Sequence, residues 1–172
     1  AQAHTGAVAG DQRVFQAMTE VAGAAWARDP HELLETAKAL AVRGRGGLAA
    51  GVAVMTCSGG DSSVCADLAA EIGVSLPPLQ PATIARLEEL LPSAATAANP
   101  LDYTALLWGD PGAIEALVRA LADDPGIGRV LVLYDQPDGL DGDAVQSWAQ
   151  AVEGVRAATD CPAQLIVCST LP

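Results

Sequence analysis

The chain has 172 residues, of which 51% are hydrophobic, 17% are charged and 3% are aromatic. It is long enough for one complete domain and part of a second, and it is too apolar to be disordered. The net charge of -12, from 21 acidic and nine basic residues, argues against nucleic acid and against an anionic membrane surface as partners. Any anion that binds here must therefore be held by backbone N–H groups and helix ends.

The four cysteines are predicted to be free thiols, because none forms a CxxC pair and three lie in or beside apolar runs. No apolar run approaches the roughly 20 residues of a membrane-spanning helix, and no cleavable signal pattern begins the chain. These features favour a cytoplasmic protein. The start at Ala1 without a Met and the stop at Pro172 suggest a piece of a longer protein.

The first candidate functional residue is His4, which lies in the stretch Ala3-His4-Thr5-Gly6-Ala7-Val8-Ala9-Gly10. A neutral imidazole nitrogen can attack an acyl or phosphoryl centre near neutral pH. The small residues that follow would let another molecule approach it closely. The alternative is that His4 is a terminal residue without a role.

The pattern after this loop predicts two helices and a short strand. Asp11 can cap a helix over residues 12–22. Residues 24–27 form a short apolar run, which predicts a buried strand. Asp29 and the proline after it begin a second helix, and His31 is expected to be exposed in its first turn.

A polar, glycine-rich stretch at residues 43–47 is predicted to be a linker between two domains. Beyond it, residues 52–55 predict a buried parallel strand. This strand leads through Ser58-Gly59-Gly60 into a helix that ends near Gly73. A strand, a tight turn and a helix in this order are the first unit of an open α/β sheet.

The rest of the chain repeats this alternation of strands and helices. Three strong strands separated by helices predict parallel pairing with right-handed crossovers. The predicted helices cover residues 81–91, 111–122 and 141–158, the further strands cover residues 130–134 and 165–168, and residues 99–104 form a predicted loop around an Asn-Pro pair.

The turn Ser58-Gly59-Gly60 is the second candidate site. Glycines between a strand and a helix let an anion approach the free N–H groups at the helix start, where the helix dipole adds about 0.3–1 kcal/mol. Gly-Gly also serves simply as a tight turn, and both interpretations stay open here. A carboxylate at Asp61 repels a bound phosphate unless its side chain points outward. The stretch is neither a Walker motif nor a GxGxxG fingerprint.

Other chemistries find less support in the sequence. A hydrolase pair of Ser58 with His4 lacks the GxSxG pattern. No metal site is expected, because His4 and His31 have no carboxylates at a matching spacing. The acidic loop at residues 135–143 lacks the spacing of a calcium-binding EF-hand, so a solvated loop with a helix cap at Asp141 is favoured.

Taken in order, these motifs resemble those of the NDP-forming acyl-CoA synthetases, relatives of succinyl-CoA synthetase. The stretch around His4 matches the family's phosphohistidine segment except at Ala3 and Val8. The further matching segments are Asp29-Pro30-His31-Glu32-Leu33, Thr56-Cys57-Ser58-Gly59-Gly60, Ala66-Asp67 and Asn99-Pro100-Leu101-Asp102.

The resemblance implies an α/β architecture of flavodoxin-like, three-layer domains with a parallel sheet. Residues 1–45 would be the C-terminal part of a first such domain, with the His loop, and residues 46–172 a second, truncated one. His4 would take a phosphoryl group from an acyl phosphate and pass it to a nucleoside diphosphate. The phosphate-binding residues that the resemblance implies are Ser58, Gly59, Gly60, Thr5 and Gly6.

The resemblance also implies which molecules act with this chain. The chain alone would bind no cofactor and would not turn over, whereas the full-length enzyme would use CoA, ATP or ADP, and Mg²⁺. Its partners would be a CoA-binding Rossmann domain, an ATP-grasp domain or subunit, and a small carboxylic acid substrate. A homodimer is an open alternative, because a chain cut through a domain exposes apolar surface.

Two departures from the family pattern lie at the second candidate site. Cys57 stands where the family usually has Asn, and Asp61-Ser62-Ser63 replaces a stretch like Pro-Gly-Val. Either the acyl substrate or the phosphate geometry differs, or part of the activity has been lost. The alternative function is a noncatalytic, acyl-CoA-sensing or regulatory module, as in relatives fused to acetyltransferase domains. Such relatives often lack the histidine, so His4 favours the enzyme.

Overall fold

The structure is a computed structural model that describes residues 10–41 and 51–169. It divides into two compact units, Ala1–Arg43 and Gly44–Pro172. The helices are α1 (Gln12–Val21), α2 (Pro30–Ala41), α3 (Gly59–Ile72), α4 (Pro81–Leu90), α5 (Pro111–Ala122) and α6 (Gly142–Ala157), and the strands are β1 (Gly51–Thr56), β2 (Leu101–Asp102), β3 (Ile127–Leu133) and β4 (Gln164–Cys168). A short 3-10 helix, Ala105–Leu107, follows β2.

Both helices of the first unit begin at the predicted caps. The carboxylate of Asp11 accepts a hydrogen bond from the backbone N–H of Arg13 at 2.9 Å, and that of Asp29 accepts one from Glu32 at 2.9 Å. These bonds satisfy N–H groups that have no partner within the helix. Neither helix contains a buried residue.

The prediction of a strand at residues 24–27 is wrong. These residues have no regular structure, and Ala24 and Ala25 are exposed. A single short apolar run becomes a strand only beside another strand, and the described part of the first unit contains none. The assignment of residues 1–45 to a first flavodoxin-like domain stays a prediction.

The second unit contains a four-stranded sheet in the order β2-β1-β3-β4. Strand β1 pairs in parallel with β2 and with β3, and β3 pairs in parallel with β4. This order confirms the predicted flavodoxin-like α/β fold. Because the strand order reverses beside β1, folds of this type bind ligands outside the carboxyl ends of β1 and β3.

Strand β2 lies within the stretch that was predicted to be a loop. Its two residues pair as Leu101 with Met55 and Asp102 with Thr56. Two residues are too few to show the alternation by which a strand is recognised in a sequence. Strand β3 likewise begins three residues earlier than predicted, because Gly128 and Arg129 interrupt its apolar run.

Helix α5 forms most of the core contact with one face of the sheet. Leu117, Val118 and Leu121 of this helix are fully buried together with Met55 of β1 and Val130 of β3. Burying each such side chain contributes about 1.5–3 kcal/mol. This packing fixes the strand ends from which the loops of the carboxyl edge start.

Helix α6 packs closely on α5 because Gly154 leaves room between them. A Cβ at Gly154 would lie 2.5 Å from the carbonyl oxygen of Pro111. Helix α3 packs against β1 and β2. Since the two crossovers beside β1 run in opposite directions, right-handed connections place α3 and α5 on opposite faces of the sheet. The unit therefore has three layers.

Candidate functional site

The second candidate site lies at the carboxyl end of β1, where the chain enters α3. Ser58 has an extended backbone, and its Oγ accepts a hydrogen bond from the N–H of Asp61 at 3.3 Å. The buried Oγ1 of Thr56 accepts a hydrogen bond from the N–H of Ser58 at 3.2 Å. Two hydroxyl groups therefore hold the turn in shape.

Helix α3 leaves two backbone donors at its first residues. The first four N–H groups of a helix have no partner within it. Those of Asp61 and Ser62 bond to Ser58, at its Oγ and at its carbonyl oxygen respectively. In the described part of the chain, the N–H groups of Gly59 and Gly60 have no such acceptor. Among the described residues, the one atom that a Cβ at Gly60 would meet within 4 Å is Oγ of Ser58, at 3.6 Å.

Two carboxylates lie beside these donors. Oδ2 of Asp61 is 3.5 Å from Oγ1 of Thr56, so this side chain turns toward the end of β1 rather than outward. Oδ2 of Asp102 lies 3.3 Å from the position that a Cβ would take at Gly59. Its Oδ1 accepts a hydrogen bond from the N–H of Thr104 at 2.9 Å. Both negative charges reduce the attraction of the helix start for an anion.

The Asn-Pro-Leu-Asp segment has a structural role that the sequence did not reveal. The side-chain amide of Asn99 donates to the carbonyl oxygens of Val52 and Pro77, at 2.9 and 3.1 Å, and its oxygen accepts from the N–H of Val54 at 3.0 Å. Asn99 thus pairs with the edge of β1 as a strand would. This anchor places Asp102 beside Gly59.

Cys57 is half-buried between β1 and α3 and is not an activated thiol. Burial raises the pKa of this thiol, and the hydrogen bond from the indole N–H of Trp108 only partly offsets that effect. The thiol is therefore protonated at neutral pH. Burial likewise raises the pKa of Tyr103, whose hydroxyl group contacts Cys57 and Trp108.

The remaining serines of this turn contribute little to a binding surface. Oγ of Ser63 donates to the carbonyl oxygen of Gly59 at 3.0 Å, a bond within the helix. Oγ of Ser62 is buried and has no hydrogen-bond partner within the described residues. The only proton that the Ser63 hydroxyl group can donate is therefore used within the helix.

Sequence reasoning missed an aromatic cluster at the same edge of the sheet. The rings of Trp108 and Trp148 have centroids 4.8 Å apart, and Tyr134 meets Trp148 edge-on at 4.9 Å. The hydroxyl group of Tyr134 also donates to the carbonyl oxygen of Trp148 at 3.1 Å. These residues follow different strands or lie on α6, so no local spacing connects them. The one hint in the sequence was the scarcity of aromatic residues, which sets these three apart from the rest of the chain.

The acidic loop after β3 confirms the predicted cap at its end. The carboxylate of Asp141 accepts a hydrogen bond from the N–H of Ala144 at 3.0 Å, which begins α6. Asp135 accepts one from the hydroxyl group of Ser169 at 2.8 Å. Across residues 10–41 and 51–169, no three His, Cys, Asp or Glu side chains group closely enough to hold a metal ion.

The predicted residues of the first site, His4, Thr5 and Gly6, lie outside the described residues. The same holds for the predicted linker at residues 43–47. His31 is exposed in the first turn of α2, as predicted. No helix among those described is both long and apolar enough to cross a membrane.

Comparison with known proteins gives relatives of one kind. No known family profile matches the chain. A trans-feruloyl-CoA synthase, FCS1, from an unknown prokaryotic organism is 32% identical over 140 residues, which are 81% of this chain and 20% of that protein. An ADP-forming acetate–CoA ligase I from Archaeoglobus fulgidus is 30% identical over 143 residues, which are 82% of this chain and 20% of that protein. The chain thus spans a fifth of the length of these relatives.

A solved structure agrees with this likeness at the level of the fold. The dinucleotide-forming acetyl-coenzyme A synthetase 1 of Ca. Korarchaeum cryptofilum, in complex with phosphate and ADP, matches with a TM-score of 0.74 and 22% sequence identity. The match covers 96% of this chain and 34% of that one. The parallel α/β fold is therefore shared with one part of that larger chain.

Proposed function

We propose that this chain, which is homologous to one segment of the NDP-forming acyl-CoA synthetases, carries the phosphoryl group of such an enzyme on His4 and holds phosphate at the start of α3. The observation that carries the proposal is the pair of N–H groups at Gly59 and Gly60, which have no acceptor among the described residues and lie at the switch point of a flavodoxin-like sheet. The composition leaves few basic side chains to bind an anion, so backbone donors have to do so.

In the proposed reaction, an acyl-CoA, a nucleoside diphosphate and phosphate are interconverted with a carboxylic acid, a nucleoside triphosphate and CoA. Phosphate displaces CoA from the thioester and forms an acyl phosphate. An imidazole nitrogen of His4 then attacks phosphorus, and the P–O bond to the acyl group breaks to release the carboxylate. The phosphohistidine gives its phosphoryl group to the nucleoside diphosphate. The N–H groups at the start of α3 would stabilise the charge of the phosphoryl group in transit.

The proposed enzyme needs parts beyond the residues described. CoA would bind to a Rossmann domain, and ATP or ADP with Mg²⁺ would bind to an ATP-grasp domain or subunit. We assign residues 1–45 to the first flavodoxin-like domain and residues 46–172 to the second. The four free cysteines fit a cytoplasmic location.

A second function, acyl-CoA sensing without catalysis, is favoured by one observation. The carboxylates of Asp61 and Asp102 lie at the helix start that has to hold phosphate. A regulatory module that no longer handles a phosphoryl group would tolerate these charges. The two functions differ in whether His4 becomes phosphorylated.

The test is phosphorylation of the full-length protein by radiolabelled ATP with Mg²⁺. A label that is stable to base, labile to acid and absent from a His4→Ala variant is expected of the synthetase, because phosphohistidine has these properties. His31→Ala is the matched control, since His31 is the other histidine and is exposed on α2. A wild-type protein that takes up no label would contradict the enzyme and leave the sensor as the favoured function.

A further inference from the structure

Strand β4 lies at one edge of the sheet, and within the described residues it pairs only with β3. The carbonyl oxygen of Cys168 accepts a hydrogen bond from the N–H of Tyr134, just after β3, at 2.8 Å. Successive residues of a strand direct their backbone groups to opposite sides. Because Cys168 faces β3, Leu165 and Val167 direct their N–H and carbonyl groups away from the sheet.

The side chains at this open edge are apolar. Leu165 packs against the core cluster on the face that α5 covers, and Val167 lies on the same face and is 53% exposed. A groove of about 260 Å³ separates β4 from α6, and it is lined by Val132, Tyr134, Val152, Val155, Arg156 and Val167. The edge therefore combines backbone groups that lack a partner strand with an apolar groove.

Strand β4 lacks the features that usually keep an edge strand from pairing with another chain. Such strands are often very short, or they carry Lys, Pro or a bulge. Strand β4 has five residues, Gln-Leu-Ile-Val-Cys, without a charge, a proline or a break in register. The opposite edge differs, because β2 has only two residues. The sequence of β4 is thus typical of a strand that pairs on both sides.

Helix α6 carries a stripe of side chains beside the groove. Val145, Val152 and Arg156 share one helical face, because they are spaced seven and four residues apart. Val145 is 43% exposed. Asp141, the cap of α6, lies on the same face, four residues before Val145. The stripe begins with a negative charge and ends with a positive one, and neither side chain forms an ion pair within the described residues.

This edge is complementary to itself in a second copy related by a two-fold axis. Leu165 and Val167 lie symmetrically about Ile166, so in two antiparallel β4 strands Leu165 of one copy would exchange both backbone hydrogen bonds with Val167 of the other. Helix α6 lies over β3 and β4, since residues of all three elements line the groove. With strands about 4.8 Å apart, the two α6 helices would lie about 10 Å apart, close to the 8–10 Å at which helices pack.

The charges of α6 match in this arrangement as well. Antiparallel pairing places the start of α6 in one copy beside the end of α6 in the other. Arg156 of each copy thus faces Asp141 of the second copy. A second copy is favoured over a parallel strand from elsewhere, because it supplies the apolar stripe and both charges.

We propose that β4 and α6 form the interface of a homodimer, in which two sheets join into one about a two-fold axis at Ile166. The interface does not include the start of α3, and it does not depend on phosphorylation of His4. A dissociation constant of about 1–100 µM is expected, since one strand pair and one helix pair make a small interface.

Sedimentation equilibrium of the 172-residue chain measures the dimer. The mass is expected to rise with concentration from 17.4 kDa to twice that value. Val167→Lys, which adds a charge at the open edge, should weaken the dimer about tenfold or more. Val64→Lys is the matched control, because it places the same charge on a valine of α3 that is 56% exposed. It should leave the dissociation constant unchanged.

Amide hydrogen exchange of the wild-type chain decides the question even if Val167→Lys does not fold. The N–H groups of Leu165 and Val167 should exchange more slowly as the concentration rises through the dissociation constant. The N–H of Gly60, away from this edge, should exchange at the same rate throughout.

A double-mutant cycle tests the antiparallel arrangement. Arg156→Gln and Asp141→Asn should each weaken the dimer about threefold to tenfold, and Asn keeps the cap of α6. The double variant should be no weaker than the weaker single variant, because both changes remove the same ion pair.

Four results would overturn the inference. The first is a mass of 17.4 kDa at all concentrations, and the second is equal weakening by Val167→Lys and Val64→Lys. The third is protection of the Leu165 and Val167 N–H groups that does not change with concentration, which would show that the edge is covered from within the same chain. The fourth is additive effects of Arg156→Gln and Asp141→Asn. None of these results bears on the labelling of His4.

Discussion

Three helices begin at the same edge of the sheet, and their caps differ. Helices α5 and α6 begin with a carboxylate, since Asp110 accepts from the N–H of Ala113 at 2.9 Å and Asp141 accepts from that of Ala144 at 3.0 Å. Helix α3 begins with the neutral hydroxyl group of Ser58. A charged cap neutralises the positive end of a helix, whereas a hydroxyl cap satisfies one donor and adds no charge.

Under the proposed function, this difference separates the helix starts that only stabilise the fold from the one that binds an anion. At the starts of α5 and α6, a capping carboxylate would repel an anion. Proline at the first position of α5 also removes one N–H donor. The start of α3 is held in shape by hydroxyl groups, so that its first N–H groups face no acceptor among the described residues. The two carboxylates beside it, those of Asp61 and Asp102, come from outside the cap position. The variants below alter this contrast, in order of their expected effect on phosphate binding.

The largest effect is expected from Ser58→Asp, which gives α3 the type of cap that α5 and α6 have. Inorganic phosphate should bind more than tenfold more weakly, because a carboxylate then occupies the helix start. The melting temperature should stay within a few degrees, since Asp and Ser are equally good caps. Titration calorimetry and thermal unfolding measure the two quantities.

Asp141→Ser is the control for this change, because it gives α6 the neutral cap of α3. It should leave the affinity for phosphate unchanged. Unaltered phosphate binding in Ser58→Asp would mean that the anion binds elsewhere.

A smaller loss is expected from Gly59→Pro, which removes one donor at the first position of α3. Proline fits this position, since Ser58 already has the extended backbone that proline requires of the preceding residue. Phosphate affinity should fall about fivefold to tenfold relative to Gly59→Ala. The alanine variant places a Cβ beside Asp102 as proline does, but it keeps the N–H. Equal affinities in the two variants would show that this N–H donates no bond to phosphate.

A gain in affinity is expected from Asp61→Asn, because it removes a negative charge turned toward the end of β1. Phosphate should bind several-fold more tightly at low salt, and the gain should shrink at about 0.5 M salt, where charges are screened beyond a few ångströms. Glu71→Gln removes a charge near the far end of α3 and serves as the control. An unchanged affinity in Asp61→Asn would place the bound anion away from Asp61.

We expect Asp124→Asn to leave phosphate affinity unchanged and to lower the free energy of unfolding instead. Asp124 is 2% exposed and accepts bonds from the N–H groups of Gln80 and Gly126, both at 2.8 Å. Burial raises its pKa, but the hydrogen bonds from Gln80, Gly126 and Thr83 together hold it below the ordinary value. We expect a loss of about 1–2 kcal/mol in the free energy of unfolding at pH 7.

The pH dependence of that loss has a definite sign. A carboxylate whose pKa is lowered in the folded state stabilises the fold above its unfolded pKa, and this contribution disappears as the pH falls through the folded value. The difference in stability between wild type and Asp124→Asn should therefore be constant near neutral pH and shrink below about pH 4. Urea unfolding at several pH values measures it. A difference that grows as the pH falls would contradict this account of Asp124.

Most elements of the second unit could be predicted because they are long and locally capped. The helix starts at Asp110 and Asp141 and the end of α3 at Gly73 follow from capping chemistry, which depends on a few adjacent residues. Strand β2 could not be predicted in this way, since its pairing depends on β1, 46 positions earlier. The strand predicted at residues 24–27 failed for the complementary reason, because an apolar run without a neighbouring strand has nothing to bond to.

The candidate site likewise combines features set by adjacent residues with features set by residues far apart in the sequence. The sequence by itself determined the turn Ser58-Gly59-Gly60 and the helix that follows it, since these are properties of adjacent residues. Only the tertiary structure decided that Asp102 lies against Gly59 and that Trp108 contacts Cys57. Those contacts join residues that are 43 and 51 positions apart, and they arise because parallel strands bring their carboxyl ends to one edge of the sheet.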